Sequence, residues 1–289
     1  MKLADIVVKE IFLRVDGGLG NRIRPVLSAL FMGHKLQAPV TFEWALGKGC
    51  RCPVNELFEP RVKWASFDGA YLHYRNNRPE FGEFLEKALR TEPVLKLKSP
   101  EYFETFHRYF PGEAETWIAA NIEHYFVPQA PLMNKILVFA QKHALSEALG
   151  VHVRRGDKVG RVRDLPTLEA YFQTVDQELA GDAPIFLATD DGRDADESDI
   201  LRKFSRRYGK RIVYRRKAGL GRGQVGTQDA LVDLWLLRSC GSFIGAKCST
   251  YSETAALGRP ASLISMRKSS VGHSGLAVPF VEHHIGKIG

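Results

Sequence analysis

The sequence predicts an α/β protein of two domains, of which the second contains a doubly wound parallel sheet. The chain has 289 residues, which exceeds one ordinary domain. Short apolar runs typical of strands alternate with stretches of helical periodicity, most regularly in the second half. Polar and glycine-containing turns follow several of these strands, as in parallel sheets with helical crossovers. We therefore expect an N-terminal α/β domain over residues 1–143 and a second domain over 144–289.

The first half begins as a β–α–β unit. Residues 8–15, VKEIFLRV, read as a strand, and the glycine turn DGGLGN follows it. The next segment, RIRPVLSALFMGHKL, has apolar residues at helical spacing, and PVTFEWAL is again strand-like. From about residue 100 to 147 the chain is helical and aromatic, and the predicted domain boundary lies near the end of this region.

The second half alternates more clearly between strands and helices. Its five predicted strands are LGVHVRR, PIFLATDD, RIVYRR, SFIGA and ASLIS, with a helix predicted between each pair. Such a pattern gives a parallel sheet with right-handed crossovers, in which ligands bind outside the carboxyl ends of the strands. The polar segments HVRRGDK, ATDD and AKCST all fall at such strand ends.

Composition excludes several classes of protein. No window contains the roughly 18 apolar residues that a membrane helix needs, and the N-terminal segment MKLADIVVKEIFLRV carries charges where a signal peptide is apolar. We therefore expect a cytoplasmic protein. We interpret all four cysteines as thiols, since their spacing indicates neither a disulfide nor a zinc site. They are Cys50, Cys52, Cys240 and Cys248.

The formal net charge of +8 is unevenly distributed. Ten basic residues and no acidic one lie between Arg202 and Arg222. This stretch predicts an anionic partner, including peripheral association with a membrane surface, and a solvated basic face without a ligand is an equal alternative. Nucleic acid is not expected, because the stretch contains few aromatic residues and matches no nucleic-acid-binding module.

The segment VHVRRGDKVG concentrates charge at the end of a strand. Arg154 and Arg155 are neighbours, so an extended strand directs them to opposite faces and gives them separate roles. One guanidinium can bind a phosphate while the other pairs with a carboxylate such as Asp157, and Lys158 adds a further positive charge. An ordinary strand-end salt bridge is the alternative. The turn DGGLGN offers backbone N–H groups to an anion or is a plain tight connection.

The segment GRGQVG raises a different class of function, a dinucleotide-dependent oxidoreductase. It lies between the third and fourth strands of its domain, and no acidic residue ends the next strand, SFIGA. We interpret it as a loop and keep an NADP-dependent oxidoreductase as the third alternative.

Four segments together resemble the fucosyltransferase superfamily with the HxRRxD motif, in particular its α1,6-fucosyltransferases and nodulation fucosyltransferases. They are GGLGN, HVRRGDKVG, ATDD and DLWLLRSCGSFIGAKCSTYSETAALG. The resemblance implies the GT-B arrangement of two facing Rossmann-like domains and an inverting, metal-independent glycosyltransferase without a cofactor. GDP-fucose would be the donor, bound by the second domain, and a glycan the acceptor. A non-catalytic nucleotide-sugar- or anion-binding protein of the same fold is the alternative.

The resemblance also implies roles for individual residues. Arg155 would contact the β-phosphate, and His152 with Asp190 or Asp191 would lie at the guanine. The implied donor-binding residues are Gly18, Asn21, His152, Arg154, Arg155, Asp157, Asp190, Asp191, Ser249 and Thr250. The expected catalytic residues are Arg155 and Lys158, with Asp164 and Asp16 as candidate bases, and no metal ligand is expected.

One position departs from the α1,6 enzymes. Those enzymes carry a glutamate within two residues of DKVG, where this sequence has Val162. Asp164 and Asp16 are the two candidates for the base that deprotonates the acceptor, and a weakly assisted attack on an oxocarbenium-like sugar is the alternative to both.

Overall fold

A computed structural model describes residues 5–67, 69–73, 80–99, 103–154, 165–247, 249–266 and 279–284. The chain forms two compact units. The first comprises Met1–Gln129 with Arg222–Gln224, and the second comprises Ala130–Gly221 with Val225–Gly289.

The first unit contains a five-stranded parallel sheet with helices. The strands are β1 (Glu10–Val15), β2 (Val40–Trp44), β3 (Lys63–Trp64), β4 (Leu72–His73) and β5 (Val94–Lys98). The helices are α1 (Leu19–Leu36), α2 (Glu80–Thr91), α3 (Glu104–His107) and α4 (Glu113–Tyr125). The strand order is β3-β2-β1-β5-β4, and every pair in this order is parallel.

The second unit is built on a six-stranded sheet. The strands are β6 (Leu149–Val153), β7 (Ile185–Thr189), β8 (Ile212–Val213), β9 (Ser242–Ala246), β10 (Ala261–Met266) and β11 (Pro279–His284). The helices are α5 (Ala130–Lys142), α6 (Leu168–Glu178), α7 (Asp199–Tyr208), α8 (Gln224–Ser239) and α9 (Thr250–Ala256). The order is β11-β10-β9-β6-β7-β8, and only β11 runs antiparallel to its neighbour.

Burial explains why these segments form strands at the centre of each sheet. Every residue of β6 and of β7 is buried, as expected for parallel strands covered on both faces by helices. In β1 alternate residues are fully buried, namely Ile11, Leu13 and Val15. Cys50, Cys52 and Cys240 are buried free thiols, as predicted, while Cys248 lies outside the described residues.

The predicted fold class is confirmed, since the chain forms two Rossmann-like α/β units with largely parallel sheets. All five strands predicted for the second half are present, although RIVYRR yields only the two-residue β8. The sequence analysis did not predict β3, β4, β5 and β11.

The division between the units differs from the predicted 143/144 boundary, because it precedes α5. This helix packs on the second unit, where the ring of Phe139 lies 5.8 Å from that of Phe186 in β7.

Each sheet contains a switch point, where the chain reverses the direction in which it adds strands. In the second unit the chain passes from β6 to β7 and β8, and then resumes on the other side with β9 and β10. The switch point therefore lies between β6 and β9, and the carboxyl ends of these strands are where this fold binds ligands. The corresponding point of the first unit lies between β1 and β5.

No helix in the described part of the chain combines the length and the apolar character that crossing a bilayer requires.

Candidate functional site

His152 lies at the switch point of the second unit, one residue before the end of β6. Its side chain is buried, and its Nδ1 atom is 2.7 Å from Oγ of Ser252 in α9. The ring of Tyr251 lies 4.6 Å from the imidazole, centroid to centroid. Burial, together with the positive charges of Arg154 and Lys217, lowers the pKa of His152 to about 3. The imidazole is therefore neutral at physiological pH.

Arg154 and Asp190 come directly after neighbouring parallel strands and form an ion pair. The register of β6 and β7 pairs Val153 with Thr189, so the next residue of each strand emerges beside the other. Both side chains are partly buried, with 18% and 25% of their surface exposed. Arg154 and Asp190 are both predicted site residues, and the structure brings them together.

The carboxylate of Asp191 has different partners from that of Asp190. Its Oδ1 accepts hydrogen bonds from the hydroxyls of Thr189 and Ser198, at 2.9 and 2.5 Å. Its Oδ2 accepts from the backbone N–H of Ile200, at 3.1 Å. Ser198 is the N-cap of α7 and Ile200 lies in its first turn, whereas Thr189 ends β7. Asp191 therefore helps to cap α7 and ties its start to the end of β7.

Ser249 and Thr250 lie where α9 begins, just beyond β9. Ser249 is the N-cap of the helix, and its Oγ accepts from the backbone N–H of Ser252. Ser249 is buried, whereas Thr250 is partly exposed. The predicted position of both residues at the amino end of a helix is therefore what the structure shows.

A buried charge network that the sequence analysis missed lies beside these residues. Nε of Arg215 donates to Oδ1 of Asp233 at 3.0 Å, and its Nη1 donates to Oδ1 of Asp229 at 2.7 Å. Lys217 pairs with Asp233 at 3.3 Å and also donates to the carbonyl of Thr189 at the end of β7. Asp229 and Asp233 are four residues apart in α8, and that spacing is the signal that could have revealed them.

Most of the basic stretch from Arg202 to Arg222 is paired with carboxylates. Six of its ten basic residues form ion pairs: Arg202 and Lys203 with Asp199, Arg207 with Asp176, Arg215 with Asp229 and Asp233, Arg216 with Asp194, and Lys217 with Asp233. Local pairing weakens the field that this stretch presents to an anionic surface.

In the first unit, the DGGLGN turn connects β1 to α1. Gly17 adopts a φ of +83°, which favours glycine. A Cβ at Gly17 would lie 2.9 Å from Nδ2 of Asn21, so the Asn21 amide packs directly on the turn. Gly18 is the N-cap of α1, and a Cβ there would lie 2.6 Å from Nη1 of Arg222. A larger residue at position 18 would therefore require the Arg222 guanidinium to shift.

Asp16 precedes the turn and forms an ion pair with Lys98, the last residue of β5, at 3.4 Å. This pair lies at the switch point of the first unit. The predicted candidate base is therefore a partly exposed carboxylate with a cationic neighbour.

Arg22 supports the turn and was not among the predicted residues. The side chain is fully buried, with Nε donating to the carbonyl of Gly17 at 2.8 Å and Nη2 to that of Ala45 at 2.7 Å. Nη1 donates to the carbonyl of Val15 at 3.2 Å, and the guanidinium lies 4.5 Å from the ring centroid of Trp44. Burial lowers the pKa of Arg22. An arginine among the apolar positions of a predicted helix is the sequence signal for a buried side chain that binds backbone carbonyls in this way.

Four predicted site residues lie outside the described residues: Arg155, Asp157, Lys158 and Asp164. Within the residues that the structure does describe, no group of three or more histidine, cysteine, aspartate or glutamate side chains could hold a metal ion.

The GRGQVG segment differs from a dinucleotide-binding turn in its context. Such a turn directly follows a central strand. Here the preceding strand is β8, a two-residue edge strand that ends at Val213, and α8 already begins at Gln224. The backbone carbonyl of Arg222 instead accepts from the N–H of Arg51 in the first unit, at 2.8 Å.

No protein-family model matches the sequence, and no curated protein matches it either. Solved structures do share its fold. The NodZ α-1,6-fucosyltransferase soaked with GDP-fucose superposes with a TM-score of 0.64 at 18% identity, over 96% of this chain and 100% of that one. NodZ co-crystallised with GDP gives 0.62 at 17%, over 94% and 98%. NodZ comes from Bradyrhizobium.

A plant protein shows the same likeness. FUT1 of Arabidopsis thaliana, in complex with GDP, superposes with a TM-score of 0.58 at 15% identity, over 89% of this chain and 70% of that one. The chain therefore has the fold of these fucosyltransferases.

Proposed function

We propose that the protein is an inverting, metal-independent glycosyltransferase that transfers fucose from GDP-fucose to a glycan. The second unit would bind the donor, and the first unit would form the acceptor side. The observation that carries the proposal is the cluster at the carboxyl ends of β6, β7 and β9, where His152 contacts Ser252, Arg154 pairs with Asp190 and Ser249 caps α9. Its support is the fold shared with fucosyltransferases that were solved with GDP and with GDP-fucose.

The cluster offers the groups that a guanine nucleotide needs. Guanine presents N1–H and an exocyclic amine side by side, and a single carboxylate can accept from both. We assign this role to Asp190, because the oxygens of Asp191 already bind the start of α7. A carboxylate has about four acceptor positions, so an ion pair with Arg154 is compatible with the role. His152, near the end of the neighbouring strand β6, would donate from Nε2 to a guanine acceptor.

The transfer step is a single displacement. The acceptor hydroxyl attacks the anomeric carbon of fucose opposite the diphosphate, and the bond from that carbon to the β-phosphate oxygen breaks, leaving its electron pair on GDP. Arg155, with Lys158, would neutralise the charge that develops on the leaving group. The hydroxyl proton would pass to Asp164 or Asp16, and Asp157 would brace the loop.

A panel of nucleotides tests the proposal directly. Thermal unfolding would be measured with GDP, UDP, CDP, NADP and GDP-fucose. We expect GDP and GDP-fucose to raise the melting temperature most, because only guanine satisfies both the Asp190 carboxylate and His152. Preferential stabilisation by NADP would refute the proposal and favour the oxidoreductase. Stabilisation by GDP without fucose transfer to any glycan would favour the alternative, a nucleotide-sugar-binding protein, with which Val162 in place of glutamate is compatible.

A further inference from the structure

We propose that Ser252 is a positioning residue that binds Nδ1 of His152 and holds the imidazole as the Nε2–H tautomer. Nε2 is then a hydrogen-bond donor toward a ligand. The inference that this ligand is a nucleotide rests on the proposed function. The assignment of the proton rests only on the contacts around the two side chains.

The hydroxyl of Ser252 lies between two fixed partners. Ser252 is fully buried, and its Oγ accepts a hydrogen bond from the backbone N–H of Ala246, the last residue of β9, at 3.2 Å. The same oxygen is 2.7 Å from Nδ1 of His152. The contact therefore connects the carboxyl ends of β6 and β9 on either side of the switch point.

Counting protons selects one arrangement. A hydroxyl has one proton to donate and two lone pairs with which to accept. If Oγ of Ser252 donates to Nδ1 while it accepts from Ala246, the hydroxyl and Nδ1 are both satisfied and the imidazole proton must reside on Nε2. If Nδ1 donated instead, Oγ would accept twice, and its own proton would need a further acceptor at a fully buried position. Among the described residues, Oγ of Ser252 has no hydrogen-bond partner besides Nδ1 of His152 and the N–H of Ala246.

Gly245 in β9 lies very close to the side chain of Ser252. A Cβ at Gly245 would lie 2.7 Å from Cβ and 2.8 Å from Oγ of Ser252, closer than real Cβ contacts allow. It would also lie 2.7 Å from Cζ of Phe243. Glycine at position 245 therefore lets the start of α9 approach the strand closely enough for Ser252 to contact His152.

The tautomer has consequences because the imidazole is neutral. Burial and the charges of Arg154 and Lys217 lower the pKa of His152 to about 3, so the ring carries a single proton at physiological pH. Nε2 has no hydrogen-bond partner among the residues that the structure describes. As an N–H group it would select an acceptor atom on a ligand, such as a base carbonyl or ring nitrogen, and would reject a donor at the same place.

The proton can be located by NMR in the intact, ligand-free protein. Histidine labelled with 15N in the ring would be recorded by long-range proton–nitrogen correlation, and the signals that disappear in His152→Gln identify His152. We expect the pattern of a single Nε2–H tautomer. A pattern with the proton on Nδ1, or one averaged between the two tautomers, would overturn the inference whether or not the protein binds GDP.

The chain provides a matched control for the serine. Ser28 in α1 is also buried, accepts from the backbone N–H of Phe103 at 2.9 Å, and lies 2.6 Å from Nε2 of His107. Ser28→Ala therefore removes the same kind of contact from a serine–histidine pair in the first unit.

The two alanine variants separate positioning from stability. We expect Ser252→Ala to produce a mixture of tautomers at His152 and to weaken GDP binding by about 5- to 10-fold, as for the loss of one hydrogen bond. Ser28→Ala should lower the melting temperature comparably and leave GDP affinity unchanged. Unchanged tautomer and affinity in Ser252→Ala, or an equal loss of affinity in Ser28→Ala, would contradict the positioning role. If the wild-type protein binds no GDP, the proposed function fails, while the NMR result still decides the tautomer.

Discussion

At the residue scale, two adjacent aspartates have different surroundings. Asp190 pairs with Arg154 at the end of β6, whereas Asp191 accepts three hydrogen bonds around the start of α7. Adjacent residues after a strand point in different directions, so only one of them can remain at the ligand-binding edge.

This difference predicts distinct phenotypes. Asp191→Ala should lower the free energy of unfolding by about 1 kcal/mol, as loss of a helix cap does, with an unchanged preference for GDP over UDP. Asp190→Ala should weaken GDP binding by about 1–3 kcal/mol and leave binding of a bare diphosphate nearly unchanged, because only the contact with the base is removed. Urea unfolding measures the loss of stability, and titration calorimetry with GDP, UDP and pyrophosphate measures the binding effects. Reversed phenotypes would exchange the two assignments.

Arg155 is the residue on which the proposed transfer depends most. Removing one fixed donor to a leaving group costs about 3 kcal/mol in the transition state, so Arg155→Ala should slow transfer by roughly 100-fold or more. Arg155→Lys should restore little, because a point charge does not replace a bidentate guanidinium. Initial rates of GDP release from GDP-fucose give the measurement, and near-normal turnover of the alanine variant would refute the assignment.

At the scale of elements, the connection between β8 and α8 is held by buried charge rather than by regular structure. Asp229 accepts from the backbone N–H groups of Ala218 and Gly219, at 2.7 and 2.9 Å, and from Arg215. Burial disfavours the charge of Arg215, but Asp233 and Asp229 hold the pKa of Arg215 above its ordinary value. The network fixes the loop to the first turns of the helix.

Breaking this network should be costly. Asp233→Ala would leave Arg215 and Lys217 charged in a site where each is largely buried, and we expect a loss of about 3 kcal/mol in the free energy of unfolding. The control is Asp199→Asn, at a fully exposed ion pair with Lys203, which should change stability little. Urea unfolding compares them, and equal losses would show that burial does not determine the effect.

At the scale of the whole molecule, the proposed chemistry relies on arginine and backbone donors rather than a metal ion. Fucose transfer should therefore proceed at the same rate after dialysis against EDTA. Loss of activity with EDTA and its recovery with manganese would make carboxylates of the chain metal ligands and would contradict the metal-independent mechanism.

Two buried histidines should make the stability of the molecule depend on pH. Burial lowers the pKa of His107 to about 4, and burial with nearby cations lowers that of His152 to about 3, from an ordinary value of 6.5. Below pH 6.5 the unfolded chain binds protons that the folded chain does not, so the free energy of unfolding falls as the pH falls. Each histidine should contribute about 1.4 kcal/mol per pH unit between 6.5 and its folded pKa.

Variants isolate these contributions. His107→Gln and His152→Gln should each reduce the slope of unfolding free energy against pH over this interval, as measured by urea unfolding. Slopes identical to that of the wild-type protein would show that the imidazoles are not buried in their neutral form.

The sequence by itself determined the fold class and most elements of the second half. Strand LGVHVRR and helix LEAYFQTVDQELA could be predicted because burial imposes local patterns on the sequence, such as apolar runs and helical spacing. The short β3 and β4 have too few residues to show a pattern, and β11 is defined by its antiparallel pairing with β10. Those strands depended on tertiary pairing.

For the site, the sequence indicated that His152, Arg154, Asp190 and Ser249 would converge, because parallel strands bring their carboxyl ends to one edge. Only the tertiary structure decided which partner each would have. The contact between His152 and Ser252 spans 100 positions, and the pairing of Arg215 with Asp233 depends on how α8 packs. A hydrogen bond is set by distance and direction between side chains, and neither is encoded in the local pattern of apolar and polar residues from which the elements were predicted.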